Sequence, residues 1–133
     1  MPARTKNRRR GRPAIPREIQ RQRLLKAATR AFAAALADDE GLVRLMAVDH
    51  ALASSAEELV ELVSPLLLDP LRAVRMQAAV VLADAPDTLL KPYQLEARAE
   101  ALAEYERAMS HSLDFAFAGH NLGNLYARTG DAG

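Results

Sequence analysis

Three histidines and two groups of glutamates are the side chains in this chain whose types could support acid–base catalysis or metal binding. The histidines, His50, His111 and His120, have no cysteine or second histidine at the spacing of a metal site. The glutamate groups, Glu57-Glu58-Glu61 and Glu96-Glu100-Glu104, have helical spacing, and the second group follows one helix face, which is normally solvated. No phosphate-binding loop or nucleophile motif accompanies them. We therefore predict a protein that is not an enzyme and that uses no metal and no cofactor.

The stronger chemical signal is positive charge near the N-terminus. Residues 1–30 contain eleven Lys and Arg against a single acid, Glu18, for a net charge of +10, whereas residues 31–133 carry a net charge of −9. Clustered cations bind phosphates and release their counterions, so this segment is a candidate nucleic-acid-binding region. The alternatives are nonspecific affinity for nucleic acid through residues 4–30, or a solvated tail without function. The candidate residues are Arg8, Arg9, Arg10, Arg12 and Arg17.

Within this segment, Arg10-Gly11-Arg12-Pro13 resembles the core of the AT-hook motif. The resemblance implies an extended backbone in a narrow A·T minor groove, whose negative potential attracts Arg10 and Arg12. Four residues are a motif of low specificity, and arginine-rich sequences contain it by chance.

A second resemblance covers the arm and the first helix. Gly11-Arg12-Pro13, followed by Arg-Leu-Leu-x-Ala-Ala-x-x-Ala-Phe at 23–32, resembles the segment just before the helix-turn-helix of TetR-type repressors. This resemblance implies a DNA-binding regulator. Nothing after Ala37 resembles the turn or the recognition helix that enters the major groove. The sequence therefore does not show the element with which such repressors recognise bases.

The elements that must position these residues are predicted to be helices. The chain has 27 alanines and only six glycines, and alanine loses no side-chain entropy on entering a helix. No run of alternating apolar and polar β-branched residues predicts a strand. The fold class is therefore all-α. The predicted helices span 17–37, 42–52, 55–68, 71–83, 93–109 and 115–127.

Helical spacing of apolar residues predicts which faces are buried. The inward sets are Leu24, Leu25, Ala28, Phe32, Ala35 and Leu36; Leu59, Val63, Leu66 and Leu67; Leu95, Ala99, Leu102, Tyr105 and Met109; and Phe115, Ala118, Leu122, Leu125 and Tyr126. If nothing covers Leu122, Leu125 and Tyr126, this stripe is a candidate for a partner or for self-association. The alternative is that the stripe packs back onto the preceding helix.

Five residues predict helix starts and bends. Ser55 is a predicted N-cap, with Glu58 completing a capping box. Pro65 is predicted to bend the third helix. Asp69 is predicted to cap the fourth helix, with Pro70 at its first position.

An internal repeat organises residues 17–84. Asp38, Val43, Arg44 and Ala47 recur 31 residues later as Asp69, Val74, Arg75 and Ala78. A fixed period of this size predicts a helical-repeat array. The pattern resembles HEAT repeats, including the lyase-type variety. The resemblance implies two antiparallel helix pairs, a Val that fills the core between helices, and an Arg that pairs with the Asp of its own or the adjacent repeat. The residues given a structural role are Asp38, Arg44, Asp69 and Arg75.

Residues 93–133 resemble the tetratricopeptide repeat. Leu122-Gly123-x-x-Tyr126 followed by Gly130-Asp131 is similar to the first helix of such a unit, and Ala101, Tyr105 and Ala108 are similar to the second helix of the unit before. The resemblance implies structural roles for Gly123 and Tyr126 and a peptide groove to which Asn121 and Asn124 contribute. Two solvated asparagines are the alternative. Residues 85–92, with Pro86 and Pro92, are predicted to be a linker.

These patterns predict a right-handed α-solenoid of antiparallel helix pairs behind a disordered basic arm at 1–16. We expect a noncatalytic protein–protein interaction or scaffold module with an unknown protein or peptide partner. The alternative is a nucleic-acid-binding protein that acts through the arm, and a third possibility is a fragment with no independent role. No apolar run is long enough for a membrane span and no secretory signal is evident, so we expect a cytoplasmic location.

Overall fold

The protein is helical throughout the part of the chain that its computed structural model describes, namely residue 11 and residues 14–51 and 53–130. The all-α prediction is therefore confirmed for these residues. Short 3₁₀ turns follow the third helix at Ser64–Leu68 and precede the fifth at Asp87–Leu89. The helices are α1 (Arg17–Leu36), α2 (Gly41–Asp49), α3 (Ala56–Val63), α4 (Arg72–Val81), α5 (Pro92–Ser110) and α6 (Ala116–Thr129). None of them is both long enough and apolar enough to cross a membrane.

The helices surround one main core and a smaller second cluster. α2 packs between α1 and α4, α4 packs on α5, and the 3₁₀ turn after α3 packs on both α4 and α5. In the second cluster, Leu122 and Leu125 of α6 pack on Tyr105 of α5. The fully buried side chains of largest volume are Leu67, Leu82, Val48, Val63 and Val74.

Only the C-terminal part of α1 packs on this core. The prediction that Leu24, Leu25 and Ala28 face inward is wrong: Leu24 is 71% exposed, Leu25 is 57% exposed and Ala28 is exposed. The cause is a difference in length, because the 20 residues of α1 span about 30 Å and the nine residues of α2 span about 14 Å. Phe32 and Leu36 pack against the core, and the preceding turns extend past it.

The 31-residue repeat appears in the structure as a repeated set of hydrogen bonds. Asp38 Oδ1 accepts from the N–H two residues ahead at 2.8 Å, and Asp69 Oδ1 does the same at 2.8 Å. Arg44 Nη1 donates to the carbonyl oxygens of Asp38 and of the next residue, at 2.8 and 3.0 Å. Arg75 Nη1 donates to the carbonyl oxygens of Asp69 and of the next residue, at 2.9 and 3.2 Å. Asp38 and Arg44 thus stabilise the turn before α2, and Asp69 and Arg75 stabilise the turn before α4.

The two repeats are joined by an ion pair. Arg44 Nε and Nη2 donate to the two carboxylate oxygens of Asp69 at 2.7 and 3.0 Å, and Asp69 is only 6% exposed. The equivalent Arg75 points Nη2 at Glu104 of α5, 3.5 Å away. The Arg of one repeat therefore contacts a carboxylate of the element that follows it.

The valines of the repeat are not equivalent. Val74 is fully buried, whereas Val43 is 39% exposed, so the prediction that this position fills the core is wrong for the first repeat. Val74 joins the main core, where the 3₁₀ turn after α3 and α5 both pack on α4. Val43 lies on α2, near the start of the folded body, and its side chain is less covered by other elements than that of Val74.

Three predictions of helix boundaries need correction. α2 ends at Asp49 and not at 52. The third helix does not continue through Pro65 with a bend; α3 ends at Val63 and the chain tightens into a 3₁₀ turn, since proline removes an N–H from the helical ladder. Asp69 is not the N-cap of α4. That helix begins at Arg72 with Leu71 as its N-cap, and Asp69 accepts the N–H of Leu71.

The N-cap of α3 was predicted correctly, but the capping box was not. Ser55 Oγ accepts the N–H of Glu58 at 3.1 Å. The carboxylate of Glu58 does not return to Ser55; it accepts from the N–H of Ser54 at 2.8 Å and from its hydroxyl. These hydrogen bonds lower the pKa of Glu58.

The segment predicted to be a linker, 85–92, is packed into the fold. Leu90 is buried in the main core. Arg98 of α5 donates through Nη1 to the carbonyl oxygens of Leu82 and Ala85 at 3.1 and 2.9 Å, and its Nη2 pairs with Asp87. The hydrogen bonds of Arg98 therefore connect α5 to the end of α4 and to the segment between the two helices.

At the C-terminal end, two predicted inward positions are exposed, Ala99 and Phe115. α6 ends at Gly130, whose φ of 72° lies in the left-handed region that favours glycine. Gly123, within α6, has no such requirement, because an added Cβ would meet no atom within 4 Å.

Candidate binding surfaces

The N-terminal part of α1 is an exposed basic helix. Residues 17 to 31 are all exposed, and the five cations among them are Arg17, Arg21, Arg23, Lys26 and Arg30. Among the described residues none of the five has a carboxylate within 4 Å. The undescribed residues add only Asp131 as an acidic side chain. These charges are available to an external anion.

The arginines of the folded body behave differently. Arg72 and Arg75 both pair with Glu104, at 3.0 and 3.5 Å. Arg128 pairs with Asp84 at 2.7 Å. Arg44 and Arg98 pair with the carboxylates described above. Among the described arginines of the body, only Arg107 has no carboxylate within 4 Å. Positive charge in the body is therefore used to connect elements.

Arg8, Arg9, Arg10 and Arg12 lie outside the described residues. Gly11 is exposed, and Arg17 is the first residue of α1. The basic surface that the structure describes is thus α1 itself.

An open groove lies between α3 and the start of α5, with a volume of about 470 Å³. We call it the α3–α5 groove. It is lined by apolar side chains, by Glu57 and Glu61 of α3, and by Lys91 and the 53% exposed Tyr93 near the start of α5. The lining residues are Glu57, Val60, Glu61, Ser64, Pro65, Leu89, Lys91, Tyr93 and Gln94.

Two polar residues of the groove are committed to the fold. Gln94 Oε1 accepts the N–H of Lys91 at 2.9 Å, and Gln94 Nε2 donates to Ser64 Oγ at 3.1 Å. This contact holds the two sides of the groove together. The side chains of Glu57 and Glu61 are exposed, and neither carboxylate forms an ion pair with a described residue, so both can accept from a ligand.

The predicted peptide site on α6 is separate from this groove. Asn121 is half-buried, and Asn124 is exposed with its amide nitrogen 3.1 Å from His120 Nε2. Neither residue lines the groove. Asn121 and Asn124 are three residues apart and so lie on one side of α6.

The apolar stripe of α6 is covered. Leu122 and Leu125 are buried and Tyr126 is half-buried, with Met109 and residues of α4 packed around them. Of the two alternatives stated for this stripe, the structure shows the second, in which it packs back onto the preceding helix. Near this stripe, exposed apolar side chains occur just before α6 and at its start. There Phe115 and Phe117 stack with ring centroids 5.8 Å apart.

Several of the side chains first considered for catalysis make local contacts. Nδ1 of His50 lies 3.0 Å from the carbonyl oxygen of Met46, and Nδ1 of His111 lies 2.6 Å from that of Arg107. Glu104 accepts from two arginines. No group of three His, Asp or Glu side chains that could hold a metal occurs within residues 14–51 and 53–130.

Sequence reasoning missed the groove and the overhang of α1 for different reasons. The sequence shows Glu57 and Glu61 as an acidic group, but their place in one groove with Tyr93 depends on how the 3₁₀ turn and α5 pack, which no local pattern encodes. The overhang of α1 could have been predicted from the sequence, because the predicted first helix is about twice as long as the predicted second.

No family model matches the chain, and neither the curated proteins nor the solved structures include a significant match to it.

Proposed function

We propose that this protein is a noncatalytic scaffold, built as an array of helical repeats, that binds a protein or peptide in the α3–α5 groove. The observation that carries the proposal is the groove itself, whose lining combines apolar side chains, an exposed aromatic ring and two exposed carboxylates. The recurrence of the Asp and Arg hydrogen bonds at a 31-residue interval supports the repeat architecture.

The chemistry of the groove favours a basic segment. Glu57 and Glu61 are one helical turn apart on α3, so a Lys or Arg side chain can contact both. Tyr93 offers a ring face for a cation or for an apolar side chain. Val60, Pro65 and Leu89 supply the apolar area. The expected ligand is an extended peptide with a cation next to an apolar residue.

A displayed peptide library selected on the full chain tests this proposal. We expect enriched peptides to contain Lys or Arg beside an aromatic or aliphatic residue. The double variant E57Q/E61Q should weaken their binding about five- to tenfold, because two exposed ion pairs are lost. Tyr93→Ala should weaken binding about tenfold through loss of an aromatic anchor.

The matched control is E100Q/D114N, which removes two exposed carboxylates outside the groove. This control should leave Kd within about twofold of the unsubstituted protein, since distant exposed charges are screened. Equal effects of the two double variants, or selected peptides without cations, would contradict the proposal.

A second candidate function is the binding of nucleic acid through the basic N-terminal region. It is favoured by one observation, the concentration of unpaired cations on α1 while the body uses its arginines internally. Binding should be strongly salt-dependent, because each neutralised phosphate contributes about −0.9 to the slope of log K against log salt. Fluorescence anisotropy of the full chain with a labelled duplex across a salt series measures this slope. A slope near zero would exclude this function.

A further inference from the structure

The cations of α1 fall on two different sides of the helix. At about 100° per residue, Arg23, Lys26 and Arg30 lie within about 60° of one another. We call these three residues the basic face. Arg17 and Arg21 lie on the opposite side, with the apolar stripe that includes Leu24 and Phe32. The basic face extends over eight residues, so its first and last cations are about 10 Å apart along the helix axis.

The folded body covers one side of α1 only. Phe32 and Leu36 pack into the core, so the stripe to which they belong faces the body. The basic face points away from the body, and its three cations are exposed without a carboxylate partner in the described part of the chain. A large ligand can therefore reach the basic face without displacing any contact of the fold.

We propose that the basic face of α1 is the surface that contacts the phosphates of a nucleic-acid duplex; this inference rests on the second candidate function. A duplex carries about one negative charge per 1.7 Å of its axis, so a 10 Å row of three cations passes several phosphates. The contacts are electrostatic and position the protein without reading bases. Arg17 and Arg21 face the other side and make no equivalent contact.

An anionic membrane is a less suitable partner for this surface. A helix that lies in a membrane interface buries its apolar stripe in the lipid and keeps its cations on the polar side. Here Phe32 and Leu36 of that stripe already pack into the body, so only Leu24 and Leu25 of its large apolar side chains remain exposed for insertion into lipid. A duplex needs only the open basic face.

The test compares two double variants of the full chain by fluorescence anisotropy with a labelled duplex of mixed sequence. R23Q/R30Q and R17Q/R21Q remove the same charge from the same helix. We expect R23Q/R30Q to reduce the salt slope by about 1.8 and to weaken binding at 0.1 M salt by about 60-fold. R17Q/R21Q should change the slope by less than half as much. Far-UV circular dichroism checks that both variants keep their helix content.

The possible failures can be told apart. If the unsubstituted chain binds the duplex and both variants lose affinity equally, the basic face is not the contact surface, although the second candidate function stands. If the unsubstituted chain does not bind the duplex, both ideas fail. Binding to phosphatidylserine vesicles without binding to the duplex would also overturn the inference.

Discussion

The arginines of this protein form two groups that are distinguished by their partners. In the body, Arg44, Arg75 and Arg98 donate to backbone carbonyl groups at turns and to carboxylates of neighbouring elements. On α1, the arginines have no such partners among the described residues. The same residue type therefore stabilises the fold in one region and leaves charge available for binding in the other.

The two aspartates of the repeat provide a matched pair for measuring stability. The carboxylate of Asp69 accepts from Arg44 and from the N–H of Leu71, while the carboxylate of Asp38 accepts, among the described residues, only from the N–H of Glu40. We expect Asp69→Ala to lower the free energy of unfolding by about 2–3 kcal/mol, because it leaves a largely buried guanidinium without its partner. Asp38→Ala should cost about 1 kcal/mol or less. Urea denaturation measures both, and equal effects would contradict the cross-repeat role of Asp69.

The same carboxylates predict a loss of stability in acid. Burial raises the pKa of Asp69, but hydrogen bonds from Arg44 and the N–H of Leu71 outweigh burial, so the net pKa is lowered. For Asp84, burial is likewise outweighed by Arg128. A carboxyl group whose pKa is lower in the folded state stabilises the fold above its unfolded pKa of about 4 and loses that contribution as the pH falls through the folded pKa.

We therefore expect the free energy of unfolding to be nearly constant above pH 5 and to fall below about pH 4. Asp69→Asn should flatten the fall, because the neutral amide cannot gain the proton. Urea denaturation at a series of pH values measures this difference. An unchanged pH profile in the variant would show that Asp69 does not contribute.

At the scale of elements, the overhang of α1 separates two leucines that sequence reasoning treated alike. Leu67 is almost fully buried and Leu24 is 71% exposed. We expect Leu67→Ala to destabilise the fold by about 2–5 kcal/mol through the cavity it leaves, and Leu24→Ala to change stability by about 0.5 kcal/mol or less. Thermal denaturation distinguishes them. A large cost at Leu24 would mean that another surface covers it in solution.

α6 carries a second matched pair, in which two glycines have opposite roles. Gly123 has a helical backbone and open space around it, so Gly123→Ala should raise the free energy of unfolding by about 0.5–1 kcal/mol. Gly130 has a positive φ, so Gly130→Ala should lower it by about 1 kcal/mol. Differential scanning calorimetry measures both changes. Destabilisation by Gly123→Ala would show that α6 approaches a neighbour closely there, as the tetratricopeptide resemblance suggests.

The predictability of these elements follows from the range of the interactions involved. The helices were predictable because alanine content, apolar spacing and prolines act within a few residues. The Asp and Arg contacts within each repeat were also suggested by a local pattern. The exposure of Leu24, Val43 and Phe115 was not, because it depends on which distant element covers a face. The groove depends in the same way on the packing of α5 beside α3.

For the molecule as a whole, the sequence suggested two helical arrays joined by a linker, whereas the main core runs from α1 through α5. Leu90 and Arg98 connect the two halves directly. The charge is divided as the sequence indicated: the acidic body carries the α3–α5 groove, and the basic region continues into the exposed part of α1. The two proposed ligands have opposite charges and use different surfaces.

The most direct measurement is a two-dimensional NMR titration of the isotopically labelled full chain with a peptide from the library. A peptide bound in the α3–α5 groove should shift the amide signals of Glu57, Glu61 and Tyr93 and leave those of Asn121 and Asn124 unchanged. Shifts confined to α6 would place the partner on the surface that the tetratricopeptide resemblance implies. Shifts at neither surface would contradict a groove-binding scaffold.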